Sequence, residues 1–495
     1  MRLTYRLRTT LATILAFAVP FGVYVASLRP GLDFWDTGEL QTVPYILGIP
    51  HPSGFPAYVL IGWVWSHVVP FGDVAYRMNL LAAVGMALAA GAIAGVLREW
   101  DVEPVFALGA AVLFAVTRIP WKHATHADVH ALALGVMGLA FWAAFRWRRA
   151  GSRRALFACA LLAGLGLAVH SAMILLAPGI ALAACARRPA AREVVVALAL
   201  GTLVVGACYA YLPLRSAVVY AQHKDPTLSI GIAPGRPFWD NDHPSTWAGF
   251  RAEVGGGEFG AGAALGSVFN PSVLRDVPQF GLATLSDLAG GIVLIALIGA
   301  IAFVRRSPLG GTGLLLGGML IVLFVLAYHA ESDPDRYFLA SYWVIAVFVG
   351  AGADVLSRAG MERAPGGVIA FIALLFVFVT GANLYAGRNA FGPKDHDAQR
   401  FVDTIVAHTP ANAIVVAPWM YATPLAYGAY VQKRLGDRIL VTGWPVDYSS
   451  KYRDWVRIRP VRIVGSDEPP VDAGVRVLRT ELVVLPPLYT VEALR

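Results

Sequence analysis

The sequence predicts an all-α polytopic membrane protein with a small C-terminal external α/β domain, and three observations carry that prediction. Hydrophobic residues fill 57% of 495 positions and charged ones only 15%, against about 25% charged in an ordinary soluble protein. Apolar runs of nearly membrane-spanning length recur between residues 11 and 385. Of 40 basic residues 35 are arginine, and many cluster in alternate gaps between those runs. Disorder, a coiled coil and a nucleic-acid-binding domain are excluded, because long uncharged apolar runs do not stay in water. The net charge of +8 therefore reads as a topology signal and not as the mark of an anionic partner.

About 17–25 apolar residues cross a bilayer as a helix. Runs near that length, some shorter, fall at about 11–28, 76–97, 104–117, 128–145, 155–169, 171–186, 194–213, 286–304, 312–328, 337–357 and 366–385, which makes eleven spans. Clusters at Arg2/Arg6/Arg8, Arg98, Arg146–Arg154, Arg187–Arg192, Arg305/Arg306 and Arg358/Arg363 then share one side. The positive-inside rule makes that side cytoplasmic, and an odd number of spans places the C-terminus outside. The first run fits this alternation better as a retained span than as a cleaved signal peptide. Ala57–Pro70 is too short to span, and its Trp63 and Trp65 suit an interfacial or re-entrant helix. The external stretch 214–285 shows only Gly, Pro and Asp turns. These elements form a transmembrane domain over 1–385, with its first external loop at 29–75.

After Tyr385 charged residues become frequent. Short β-rich runs at Ala413–Ala417, Arg438–Thr442, Val461–Val464 and Val475–Leu485 alternate with helical stretches at 396–408, 420–434 and 447–456. That alternation predicts an external α/β domain over 386–495, without a dinucleotide or Walker loop. Cys159, Cys185 and Cys208 all sit in apolar runs and suggest neither a disulfide nor a metal site.

Polar groups near lipid are costly, so chemistry is sought at the external helix ends. The first external loop holds Asp33, Asp36, Glu39 and His51 within twenty residues. Asp36 followed by Glu39 has the spacing of a capping box, with Asp36 as N-cap and Glu39 at N3. A carboxylate fixed at a helix mouth also suits general-base work on a hydroxyl. The second loop holds His123, His126, Asp128 and His130. His126 and His130 share a helical face, but Ala127 stands where a zincin has glutamate, so no metal site is expected. Asp128 begins an apolar span as either a cap or a cavity residue, and His170 reads as a hydrogen-bonded structural residue. Arg77 and Arg336 lie at external helix starts, where positive charge opposes the helix dipole and calls for an anion, either a phosphate ester or a neighbouring Asp73 or Asp335.

The segment Asp33–Asn79, with Trp-Asp-Thr-Gly-Glu, Leu-Gly-Ile-Pro-His-Pro-Ser-Gly-Phe-Pro and Tyr-Arg-Met-Asn-Leu in turn, resembles the signature of the membrane family called domain of unknown function 2723. That family is similar to the eukaryotic TMEM-type protein O-mannosyltransferases and is grouped with GT-C glycosyltransferases as family 117. The resemblance continues through 121–132, 164–178, Tyr211–Arg215 and Asp335–Leu339. It implies a GT-C-like fold with the active site on the external face, and the about eleven transmembrane helices counted above place it in the cell inner (plasma) membrane. The resemblance also implies a polyprenyl-phosphate sugar donor and a hydroxyl-bearing acceptor, whether protein, glycan or lipid. By motif position Asp36 is the base, with Glu39 as the alternative, Asp128 the second acid, and Arg336 of the Arg336-Tyr337 pair the contact to lipid phosphate. His51, His130 and Arg77 complete the expected substrate-binding set. No cofactor is expected, and a divalent metal is optional and not required, because two arginines can neutralise the leaving charge. Two departures stand out: Ala127-Asp128-Val129-His130 replaces the common Ala-Glu-Val-Tyr, and His170-Ser171 replaces a paired histidine.

Two functions fit these residues: inverting glycosyl transfer, or a lipid or polysaccharide transporter whose charges line a passage. A transporter places charges near the bilayer midplane. Here the acids gather at external ends, which favours the transferase.

Overall fold

Backbone amides in lipid find partners only within helices or closed barrels, so uncharged Ala/Leu/Val/Gly runs fold as helices. The computed structural model describes residues 2–256, 266–267, 270–288, 290–328, 334–363, 367–390, 396–465, 475–482 and 485–494. From the N-terminus come α1 (Arg2–Ala26), α2 (Trp35–Ile46), α3 (Pro56–Val68), α4 (Val74–Arg98), α5 (Pro104–Val116), α6 (Arg118–Ala124), α7 (Val129–Ala150), α8 (Arg153–Val169), α9 (Ala177–Cys185) and α10 (Ala191–Tyr209). Next are α11 (Tyr211–Ala221), α12 (Trp247–Gly255), α13 (Pro271–Leu288), α14 (Gly290–Arg306), α15 (Pro308–Tyr328), α16 (Leu339–Arg363) and α17 (Gly367–Ala390). The C-terminal region adds α18 (Asp397–His408), β1 (Ile414–Ala417), α19 (Trp419–Ala426), β2 (Ile439–Thr442), α20 (Tyr452–Ile458), β3 (Val461–Val464), β4 (Val475–Leu482) and β5 (Leu485–Ala493).

Among the described residues, each of the eleven apolar runs falls mainly on helix. Among the described residues seven helices are long and apolar enough to cross a membrane, eight if α5 and α6, bent by 69°, count as one. The other three runs fold as α8, α14 and the broken segment Ser171–Cys185, at or below the short end of the spanning range. The expected helix near Ala57–Pro70 is α3. The stretch 214–285 differs from its reading as turns alone, since it contains most of α11, then α12 and much of α13; residues 257–265 and 268–269 lie outside the described residues.

The chain divides into two compact units, the first comprising Met1–Arg29, Leu80–Tyr209 and Gly256–Pro393. Its helices approach closely where glycine removes the side chain. A Cβ on Gly299 of α14 would fall 1.9 Å from the Phe348 carbonyl oxygen, and one on Gly352 of α16 would fall 2.0 Å from that of Ile295. Arginines from three of the clusters meet around the turn after α4. Arg149 and Arg358 reach the Asp101 carboxylate and carbonyl at 2.6 and 2.8 Å, and Arg306 reaches the Trp100 carbonyl at 3.0 Å. Helix α10 buries no residue although it is apolar on all sides, which suits a lipid surround.

The second unit comprises Pro30–Asn79, Ala210–Gly255 and Lys394–Arg495. Its five-stranded sheet has the order β2-β1-β3-β5-β4, with β1 parallel to β2 and β3, and β5 antiparallel to β3 and β4. Side chains alternate across the strand. Val415 and Ala417 join Phe401, Ile405 and Leu425 on one face, and Ile414 and Val416 join Tyr452 and Trp455 on the other. The first face also takes in Leu32, Val43, Val59 and Ala75 from the first loop. The run read as one strand over Val475–Leu485 is two strands, and the register closes from Val475↔Ala493 to Leu482↔Leu485. Pro486 and Pro487 hide β5 from a sequence reading, because proline breaks a ladder. Here the ladder with β3 begins only at Leu488.

Candidate functional site

The first loop enters α2 through an unusual start. Trp35 has φ +56°, a region costly for a bulky side chain and frequent at functional sites. Phe34, with no side-chain cap bond, occupies the N-cap position. The capping box is therefore not formed: Asp36 lies inside the first turn, and Glu39 turns away from the helix start. Glu39, fully buried, accepts the His51 backbone N–H at 2.8 Å and pairs with the His51 ring Nδ1. That pair binds the Pro-His-Pro turn to α2. Asp36 is half-buried, and its Oδ1 accepts a hydrogen bond from Trp419 Nε1 at 2.8 Å. The Trp419 ring lies parallel to Phe238, with centroids 5.7 Å apart, and meets the His51 ring edge-on at 6.0 Å.

The rest of the loop signature is scaffolding for this arrangement. Gln41 donates to Asn79 Oδ1 at 2.8 Å and to the Gly31 carbonyl at 3.1 Å, and accepts from the Asp33 N–H. Tyr211 donates to the Gly48 carbonyl at 2.9 Å, and Arg215 donates to the carbonyls of Ile46 and Leu47 at the end of α2. A guanidinium there matches the negative end of the helix. Arg77 is similarly engaged, donating to the carbonyls of Ser66 at 2.6 Å, Phe71 at 3.2 Å and Gly72 at 3.1 Å. Asp73 accepts from the Tyr76 N–H at 2.7 Å.

A second cluster belongs to the first unit. Asp128 is both cap and hub: Oδ1 accepts the His130 backbone N–H at 2.6 Å and faces its ring Nδ1 at 3.1 Å, while Oδ2 faces His123 Nδ1 at 2.6 Å. The His130 ring packs against Tyr337 at 4.8 Å and His170 at 4.3 Å, and Arg336 lies over the Tyr337 ring at 5.6 Å. His170 itself accepts from the Ala172 N–H at 3.1 Å, the structural role its sequence suggests. Asp335 stands 4.0 Å from Lys122. Residues 329–333, part of the run leading to Arg336, lie outside the described residues.

By residue type His123, His126 and Asp128 form a metal-ligand set, with ligand atoms within 4.8 Å of one another. Charges of both signs act on it, the Asp128 carboxylate against Arg29 and Lys122. Burial, then the facing Arg29, push His126 well below the ordinary imidazole range, and Lys122 acts in the same sense. Asp128 is already shared by two histidines.

The structure joins Glu39 to His51, and His130 to Asp128 and Tyr337, residues that the sequence singled out one by one. Sequence reasoning missed Trp419, which lies 383 residues from Asp36 along the chain and in no motif. It also missed Gln41 and His123 as partners, although both stand within the segments singled out.

A family model described as the Protein O-mannosyl-transferase TMEM260 N-terminal domain matches residues 36–193. The mouse (Mus musculus) Protein O-mannosyl-transferase TMEM260 is 24% identical over 363 residues, 70% of this chain and 49% of the relative. The Dictyostelium discoideum protein of the same name is 24% identical over 112 residues, 22% of this chain and 14% of its own. The chain thus spans about half the length of the mouse relative, or less for the other. Among solved structures, ArnT from Cupriavidus metallidurans bound to undecaprenyl phosphate aligns with a TM-score of 0.56 at 11% identity, covering 97% of both chains. The oligosaccharyltransferase AglB from Archaeoglobus fulgidus, in complex with an inhibitory peptide and a dolichol-phosphate, aligns at 0.55 and 13% identity over 91% of this chain and 69% of its own. The fold is that of GT-C glycosyltransferases, and the protein is a multi-pass membrane protein.

Proposed function

We propose that the protein is a membrane glycosyltransferase that moves a sugar from a polyprenyl-phosphate donor to a hydroxyl acceptor on the external face of the plasma membrane. The observation that carries this reading is Asp36, a half-buried carboxylate at a helix start, oriented by a neighbouring indole and backed by the Glu39–His51 pair. The likeness to TMEM-type O-mannosyltransferases supports a mannosyl donor and a protein acceptor, and a place near glycosyltransferase family 117. The polyprenyl phosphates bound by the ArnT and AglB structures support the donor's lipid carrier.

In this reading Asp36 takes the proton of the acceptor hydroxyl as its oxygen attacks the anomeric carbon. The bond from that carbon to the phosphate oxygen breaks with inversion, and the electron pair leaves on the lipid phosphate. Arg336 is the guanidinium assigned to that phosphate, set over the Tyr337 ring that packs against His130. Arg77, whose guanidinium is taken up by three backbone carbonyls, is assigned the lesser role of holding the turn before α4. Glu39, engaged by His51, orders the loop and stands second to Asp36 as base. The N-terminus is cytoplasmic, and the α/β fold that begins at about residue 394 and groups with 30–79 and 210–255 is external.

The deciding experiment incubates purified protein in lipid nanodiscs with radiolabelled polyprenyl-phosphate sugars, mannose first, and protein, glycan and lipid acceptors. Label in an acceptor, lost in Asp36→Asn, supports the reading. Label that stays in the donor with every sugar, while vesicles show donor flipping, replaces it with a transporter.

A further inference from the structure

We infer that Trp419 is a positioning residue for Asp36, so that the C-terminal α/β fold supplies part of the base's setting. The inference rests on Asp36 being the base, and four observations carry it. Trp419 Nε1 donates to Asp36 Oδ1 at 2.8 Å. An indole N–H donates only, so it fixes the carboxylate plane without competing for the proton that Asp36 is to receive. The ring that bears this donor is itself clamped. Phe238 lies parallel to it at an interplanar angle of 3°, and the His51 ring, fixed to Glu39, meets it at 88°.

The fourth observation is topological. Trp419 follows Pro418 directly after β1, whose neighbours in the sheet are β2 on one side and β3 on the other, both parallel to it. The chain leaving β1 goes to one side, and the chain leaving β2 returns to the other. Ligand sites in open α/β sheets lie outside the carboxyl ends of the strands at such a switch point. Here that end presents an indole to a carboxylate of the same unit.

The reaction geometry makes such a contact matter. Small displacements of a reacting group cost up to about 100-fold in rate, and α2 begins at a left-handed Trp35 with no side-chain cap.

The test compares Trp419→Phe, Asp36→Asn and the double variant in the nanodisc transfer assay. Trp419→Phe keeps an aromatic ring for Phe238 and removes the N–H. The expected result is a fall in kcat of about 10- to 100-fold, with donor KM within about twofold. In the Asp36→Asn background Trp419→Phe should lower the residual rate by less than about twofold, because groups acting through one another are not additive. Equal losses in both backgrounds would make the effect one of packing and overturn the inference. A wild-type kcat in Trp419→Phe beside a dead Asp36→Asn overturns it alone. A fully active Asp36→Asn removes the base assignment, and the inference with it. If Trp419→Phe does not fold, benzothienylalanine at 419, which keeps the indole shape with sulfur in place of N–H, carries the same expectations.

Discussion

Asp36 and Glu39 lie three residues apart on one helix and occupy different chemical settings. Glu39 is closed off from solvent and committed to His51, whereas Asp36 stays half-buried with an indole on one oxygen. Asp36→Asn should therefore fold normally, since its amide oxygen still accepts from Trp419. Its turnover should fall about 10²- to 10⁴-fold, the usual loss with a general base. Transfer rates beside a melting curve check both halves, and near-normal turnover would pass the role to Glu39. Arg336→Ala should weaken polyprenyl-phosphate binding at least about 10-fold, the lower end for a charge-assisted bond. Arg336→Lys should recover part of it, because ammonium lacks the bidentate fork. A dissociation constant measured with the free lipid phosphate reads this directly, and unchanged affinity in both variants would remove the assignment. The acids and histidines were legible in the sequence because charge next to apolar runs is conspicuous. Their partners were not, since Trp419 is one aromatic among many and reaches Asp36 only through the fold.

Among the elements, the apolar helices were readable from length and charge alone, and each run falls mainly on helix among the described residues. The start of α2 was misread because Asp-x-x-Glu spacing carries no information about the left-handed Trp35 that shifts the helix by two residues. β5 was missed for the opposite reason: its prolines speak against a strand, yet they fall before its pairing with β3 begins. The α14–α16 contact gives a test at this scale. Gly352→Leu puts a side chain where even a Cβ would lie 2.0 Å from the Ile295 carbonyl oxygen. It should cost at least the roughly 1–3 kcal/mol of an overpacked core. Thermal unfolding in detergent should show a clearly lowered midpoint, and an unchanged midpoint would mean the two helices separate without penalty.

For the whole molecule, the arginine clusters predict sidedness. Reporter fusions at Arg154 and at Arg495 should report opposite sides, cytoplasmic and external. The same side at both positions would sink the topology. The convergence of Arg149, Arg306 and Arg358 around Asp101 and Trp100 agrees with their shared side. The GT-C architecture was legible because hydropathy and the first-loop signature both speak to it. The grouping of Pro30–Asn79 with Ala210–Gly255 and Lys394–Arg495 was not, because nothing local in those three stretches announces their partnership.

That grouping has a consequence for how the molecule is made. A ribosome delivers Asp36 early and Trp419 late. Between Asn79 and Lys394 it must thread the remaining helices into the bilayer, roughly 15–60 s of synthesis at common elongation speeds of about 5–20 residues per second. Throughout that interval the acid loop waits without its indole or the sheet that carries it. The growing chain thus carries Asp36 without its indole partner until the segment from Lys394 onward has been made.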